Sequence, residues 1–173
     1  MRFIVSQVFG IIVSLAVVVS MQLKDVRKIL ICQLICNGVG TLSYILLDGF
    51  SGCGIYLVAF LESIIMYHYR SKDIKFPKWM TYVFLLAFMC CSAITFNKSA
   101  DIISAFAALT CALGLMQEKP SKYRIFMLVN GVVWMVYDGC VGAYTMLLSH
   151  VITVISSLTG ILRLDLKMKG ENV

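Results

Sequence analysis

The sequence predicts an all-α polytopic membrane protein of seven transmembrane helices, arranged as two parallel three-helix repeats joined by a linker helix (3+1+3), N-out and C-in. Three observations carry that prediction: an extreme apolar composition, a one-sided sorting of the basic residues, and helix-end landmarks that recur in the second half. Sixty per cent of the 173 residues are hydrophobic and only 14% are charged, whereas a soluble domain carries about 25% charged residues. The mean hydropathy is +0.90. A bilayer core takes about 20 residues per helix, so the chain divides into roughly six to eight spans with no sizeable extramembrane domain left over. Any function therefore resides in or between the helices.

Apolar runs occupy Phe3–Met21, Ile29–Leu47, Gly52–Tyr67, Trp79–Phe96, Ile102–Met116, Ile125–Tyr137 and Ala143–Leu162, separated by Lys/Arg clusters or Asp-Gly turns. The first also has the look of a secretory signal, with Arg2 before it and Val18-Val19-Ser20 as a cleavage site. A cleaved signal starts N-in and leaves Lys24, Arg27 and Lys28 outside, against the positive-inside rule, so an uncleaved span is preferred. The second run ends at Asp48-Gly49, the third at Arg70, and the fourth is the linker helix.

The fifth run is short and rich in Ala and Ser, and charge sorting decides in its favour. With seven spans, Lys24, Arg27, Lys28, Arg70, Lys72, Lys75, Lys78, Lys119, Lys122, Arg124, Arg163, Lys167 and Lys169 fall on one side and only Arg2 and Lys98 on the other. Deleting the fifth span scatters the C-terminal cluster across the membrane. The net charge of +6 thus reads as a topology signal. No basic stripe runs along a face, so no nucleic-acid partner is predicted.

The ends of the first and fifth runs read Met21-Gln22-Leu23-Lys24 and Met116-Gln117-Glu118-Lys119. The second and sixth end at Asp48-Gly49 and Asp138-Gly139, with Gly52 and Gly142 three residues on, and the third and seventh end at Arg70 and Arg163. The landmarks are 95, 90 and 93 residues apart, which predicts a repeat with small gaps. One odd helix between two triplets makes the triplets parallel, about an axis along the membrane normal, with a site expected between them. The predicted units are 1–70, the first repeat; 71–98, a basic loop and the linker helix; 99–165, the second repeat; and 166–173, a cytoplasmic tail.

Met21-Gln22-Leu23-Lys24 with Arg27, the opening Ile29-Leu30-Ile31-Cys32-Gln33-Leu34, the run Trp134-Met135-Val136-Tyr137-Asp138-Gly139-Cys140-Val141-Gly142 and the ending Ser156-Ser157-Leu158-Thr159-Gly160-Ile161-Leu162-Arg163 resemble the YgjV family of bacterial inner membrane proteins. The resemblance covers nearly the whole chain through loose motifs, implies a multi-pass inner-membrane location, and brings no assigned activity. The 3+1+3 plan is also similar to that of the SWEET and PQ-loop transporters, in which two triple-helix bundles enclose a substrate path. Those proteins carry hinge prolines in the first and fifth helices. Here the only prolines, Pro77 and Pro120, fall in cytoplasmic loops, and Gln22 and Gln117 follow Met, so a proline-kink hinge is not predicted.

Ionisable groups within spans are costly, about 2.5–3.5 kcal/mol at a helix centre, and each therefore marks a candidate site. Glu62 lies eight residues before Arg70, about 12 Å of helix rise into the membrane, and His150 is near the middle of the last run. Together they are candidates for a proton-linked site; packing by hydrogen bonds to neighbouring helices is the competing account of each. Gln33 and Asn37 share a face of the second helix, and Asn130, Trp134 and Tyr137 a side of the sixth. Amides beside an aromatic plate suit a small polyhydroxy or amide-bearing ligand, and these five residues are the candidate substrate-binding set. Asp48 and Asp138 either form an acidic vestibule or serve their Asp-Gly turns, and turn chemistry accounts for them better.

His68, beside Tyr67, Tyr69 and Arg70, reads as an interface anchor. The basic and aromatic stretch Arg70–Trp79 suits anionic lipid headgroups at the cytoplasmic face. The seven cysteines read as small apolar packing residues, although Cys53 and Cys140 both fall near outer helix ends. No HExxH, GxSxG or P-loop occurs, so no enzyme activity, metal or cofactor is predicted. The leading functional expectation is a small transporter or facilitator of a polar solute, possible as a homodimer. The alternative is a non-transporting membrane protein, a partner subunit or lipid-interacting scaffold.

Overall fold

The computed structural model describes residues 2–46, 50–94, 96, 101–141 and 144–166. Among them are seven α-helices and no strand: α1 (Arg2–Gln22), α2 (Val26–Leu46), α3 (Phe50–Ser71), α4 (Lys78–Ile94), α5 (Asp101–Leu115), α6 (Pro120–Val141) and α7 (Tyr144–Gly160). A π-helical turn, Ile161–Leu166, continues α7. Asp48, Gly49, Lys98, Gly142, Lys167 and Lys169 lie outside the described residues, as does the side chain of Asp138.

The helices overrun the apolar runs where their ends are polar. α3 continues through His68 and Arg70 to Ser71, and α6 begins five residues before Ile125. Hydropathy stops at a charge, but the backbone does not, because long basic side chains reach outward while their stems stay apolar. Pro120, expected in a loop, is instead the first residue of α6, where its missing N–H costs no helical hydrogen bond. α2 opens on an N-cap, the Asp25 carboxylate accepting from the Arg27 N–H at 2.9 Å. α3 closes with Ile74 N–H donating to Tyr69 O and Asp73 N–H to Arg70 O, around Asp73 at φ 54°. That pattern is a Schellman turn with Asp at the position glycine usually holds.

α1 packs on α2 and α2 on α3, while α5 packs on α6 and α6 on α7. The two triplets meet where α1 touches α7 and α3 touches α5, and α4 leans on both α3 and α5. The α1, α3, α5 and α7 C-termini gather at one end with the N-termini of α2, α4 and α6. Most of the basic residues lie there, and it is called the basic end below.

Polarity runs inside out. Leu15, Leu86, Ile94 and Leu148 are exposed on the flanks, Ile94 at 84%. Gln33, Asn37, Glu62, Ser63, Arg124, Asn130 and Ser157 are buried. Water would penalise such a surface, whereas hydrocarbon rewards it and forces polar groups to find partners within the bundle. Among the described residues, two helices, Ile4–Gln22 and Leu147–Asp165, are long and apolar enough by themselves to cross a membrane. α5 is described over only 15 residues, about 22 Å of rise.

Candidate functional site

A cavity of about 280 Å³ lies between the triplets. Six of the seven sequence-predicted site residues line it: Gln33 and Asn37 from α2, Asn130, Trp134 and Tyr137 from α6, and His150 from α7. The facing wall comes from Tyr56 and Ala59 of α3, Phe88 of α4 and Ala108 and Cys111 of α5. Small residues make this space possible: Gly131 lets α7 approach α6, since a Cβ there would stand 2.9 Å from Val154 Cγ2.

The aromatic plate is a stack. The Trp134 and His150 rings lie 5.6 Å apart between centroids and 7° from parallel, and Tyr137 meets Trp134 edge-on at 5.5 Å. Gln33 Nε2 donates to Tyr123 Oη and, at 3.3 Å, to Ser20 Oγ. Asn37 Nδ2 donates to Ser63 Oγ at 3.0 Å, and Asn130 Nδ2 donates to Ala107 O at 2.6 Å and Thr110 Oγ1 at 3.0 Å. Each of the three amides thus donates to a neighbouring helix.

Glu62 stands apart. It is fully buried, does not line the cavity, and neither of its oxygens has a hydrogen-bond partner among the described residues. It lies on α3, three residues on from the wall residue Ala59 and next to Ser63, the partner of Asn37.

Toward the basic end the cavity is stopped by packed Met21, Ile29, Leu30, Met66, Leu115, Tyr123 and Met127. Beneath that plug Arg124, 1% exposed, donates through Nε to Met21 O at 2.8 Å, through Nη2 to Leu23 O, and through Nη1 to Asp165. Arg70 donates to Met116 O at 3.4 Å and pairs with Glu118 at 3.1 Å. An apolar exterior, a polar interior and a closed basic end are features of a chain built for a bilayer. A family model described as bacterial inner membrane protein, Imp-YgjV, matches residues 4–168. The chain belongs to this family. No match is found among the curated proteins or among the solved structures.

In this Imp-YgjV protein, a multi-pass protein of the bacterial inner membrane, pattern reading found the amide and aromatic lining and missed the closure. In the sequence Arg124 counts only as one of thirteen sorted charges, and nothing there marks Tyr123 or Asp165. A sequence signal for Arg124 does exist: it lies one residue before the apolar stretch of α6, a turn after Pro120, where the first helical turn turns inward. The remaining sequence candidates are at the rim. His68 is exposed at the end of α3, edge-on to Tyr69 at 6.1 Å. Cys53 and Cys140 are free thiols, as are the other five cysteines.

Proposed function

We propose that this Imp-YgjV protein is a small transporter or facilitator of a polar solute, built from two parallel three-helix repeats with the site between them, N-out and C-in. The observation that carries this reading is the cavity itself. It gathers Gln33, Asn37, Asn130, Trp134, Tyr137 and His150 from helices of both triplets, and it stops at the basic end against a packed plug. Three amide side chains beside a stacked Trp134–His150 pair suit a compact polyhydroxy or amide-bearing ligand with one apolar face. A volume near the lower limit of small-molecule pockets, roughly 300–1,000 Å³, favours a small one.

Reciprocal contacts support the repeat. Arg70 holds Met116 O at the end of α5, and Arg124 holds Met21 O at the end of α1, so each triplet caps the first helix of the other. Thirteen basic residues against two support the orientation. A proton-linked cycle would use His150 at the wall and Glu62 outside the lining.

The test is uptake of radiolabelled polyols, sugars and small amides into proteoliposomes, with and without a pH gradient. Uptake above empty vesicles that falls in W134A supports the reading; no uptake of any of the three classes removes it. One observation favours a non-transporting scaffold, in which the same residues hold helices together: the Asn37 and Asn130 donors are spent on α3 and α5. On that reading N37A and N130A lower stability, and wild-type vesicles accumulate nothing.

A further inference from the structure

A second depression opens on the flank of the bundle, between α1 and α7. Its residues on α7 are Ile152, Ile155, Ser156 and Thr159, continued by Arg163 of the π-helical turn, and those on α1 are Val18 and Gln22, one turn apart. The groove is polarised along about 16 Å of helix: apolar Val18, Ile152 and Ile155 lie toward the membrane centre, and Gln22, Thr159 and Arg163 toward the basic end. Gln22 Nε2 donates to Ser156 O at 3.1 Å and Ser156 Oγ to Val18 O at 3.3 Å, while Thr159 Oγ1 turns back to Ile155 O at 2.8 Å. These bonds close the seam beneath the groove, which makes it a surface feature separate from the central cavity.

Arg163 stands at its polar end. Arg27, Arg70 and Arg124 each form an ion pair, whereas Arg163 is exposed and forms none among the described residues. Exposed Lys24, two residues beyond Gln22, adds positive charge at the same end. An apolar trough ending in an exposed guanidinium, on a protein of the inner membrane, complements one kind of molecule. We propose that the α1–α7 groove seats an anionic phospholipid, an acyl chain along Val18, Ile152 and Ile155 and the phosphate against Arg163.

Native mass spectrometry of the full-length protein in detergent tests this, with phosphatidylglycerol and phosphatidylcholine of identical chains as probes. Phosphatidylglycerol is expected to bind preferentially. R163Q is expected to lower its occupancy about fivefold, the worth of one cation near an anionic headgroup, and R163K to restore most of it. I155W, which fills the trough with Arg163 intact, is expected to lower occupancy as well. Circular dichroism and melting temperature identify any variant that fails to fold, and I155W and R163Q perturb opposite ends, so one misfolded variant leaves the other to decide. Equal binding of the two lipids, or unchanged phosphatidylglycerol occupancy in folded R163Q or folded I155W, overturns the proposal. So does a two-chain species abolished by I155W, which would assign the groove to a second copy.

Discussion

Arg124 Nε, at the start of α6, donates to the Met21 carbonyl oxygen, 2.8 Å away at the end of α1. Helix C-termini carry unsatisfied carbonyls and partial negative charge, and a guanidinium satisfies both. Its other nitrogens reach Leu23 O and Asp165, so one side chain ties α1, α6 and the π-helical turn together.

Removing that side chain strands a carboxylate and two carbonyls in a largely buried setting, the Asp165 side chain being 20% exposed. R124A is expected to lose about 3–5 kcal/mol, and R124K about 1–3 kcal/mol, since an ammonium cannot reproduce the planar fork. Thermal unfolding in detergent, followed by circular dichroism, measures both. A loss under about 1 kcal/mol for R124A would mean that the clamp is not a stabilising element.

Gly160 lies against the same clamp, where an added Cβ would stand 2.6 Å from Met21 O and 3.0 Å from Arg124 Cδ. A backbone oxygen cannot rotate away, so G160A is expected to cost about 1–3 kcal/mol. E118A, by contrast, breaks an ion pair whose Glu118 side chain is 71% exposed, and its effect should stay below about 1 kcal/mol. The same melting experiment ranks them, and an E118A loss exceeding that of G160A would contradict the assignment of the tight contact.

Trp134 and Asn130 separate solute contact from scaffolding. W134A removes the stack on His150, and the KM for a transported solute should rise roughly two- to tenfold, as loss of one aromatic pair predicts. N130A removes the donor to Ala107 O and Thr110 Oγ1 and should also lower stability by about 1–3 kcal/mol. If W134A changes stability alone, with KM untouched, the stack is packing.

Glu62 lies outside the cavity lining, so E62Q should leave the solute KM within about twofold. The proposed proton linkage requires that E62Q also abolish stimulation of uptake by a pH gradient. Uptake measured at matched and unmatched pH decides the point, and stimulation that survives in E62Q removes Glu62 from the coupling.

Cys140 is exposed at the end of α6 opposite the basic end. In a variant retaining only that cysteine, a membrane-impermeant maleimide should label intact spheroplasts. Labelling only after lysis would invert the proposed orientation.

Much of the site was legible because Gln33 with Asn37, and Asn130 with Trp134 and Tyr137, sit at helical spacings that put each set on one face. An amide or histidine inside an apolar run must face a partner, and a partner lies inside the bundle. Glu62 obeyed the same rule and is buried, yet it does not line the cavity. Spacing along one helix says nothing about its rotation relative to another.

Helix number and membrane location follow from the sequence alone, because both are sums along the chain: apolar length against bilayer thickness, and basic residues against the cost of translocating charge. Which side chains meet depended on the tertiary structure. Convergence of α2, α6 and α7 on one cavity, and the inward turn of Arg124 onto Met21, are set by helix rotation and by close approach at small residues such as Gly131 and Gly160. Those are properties of the contacts between helices, which local hydropathy does not encode.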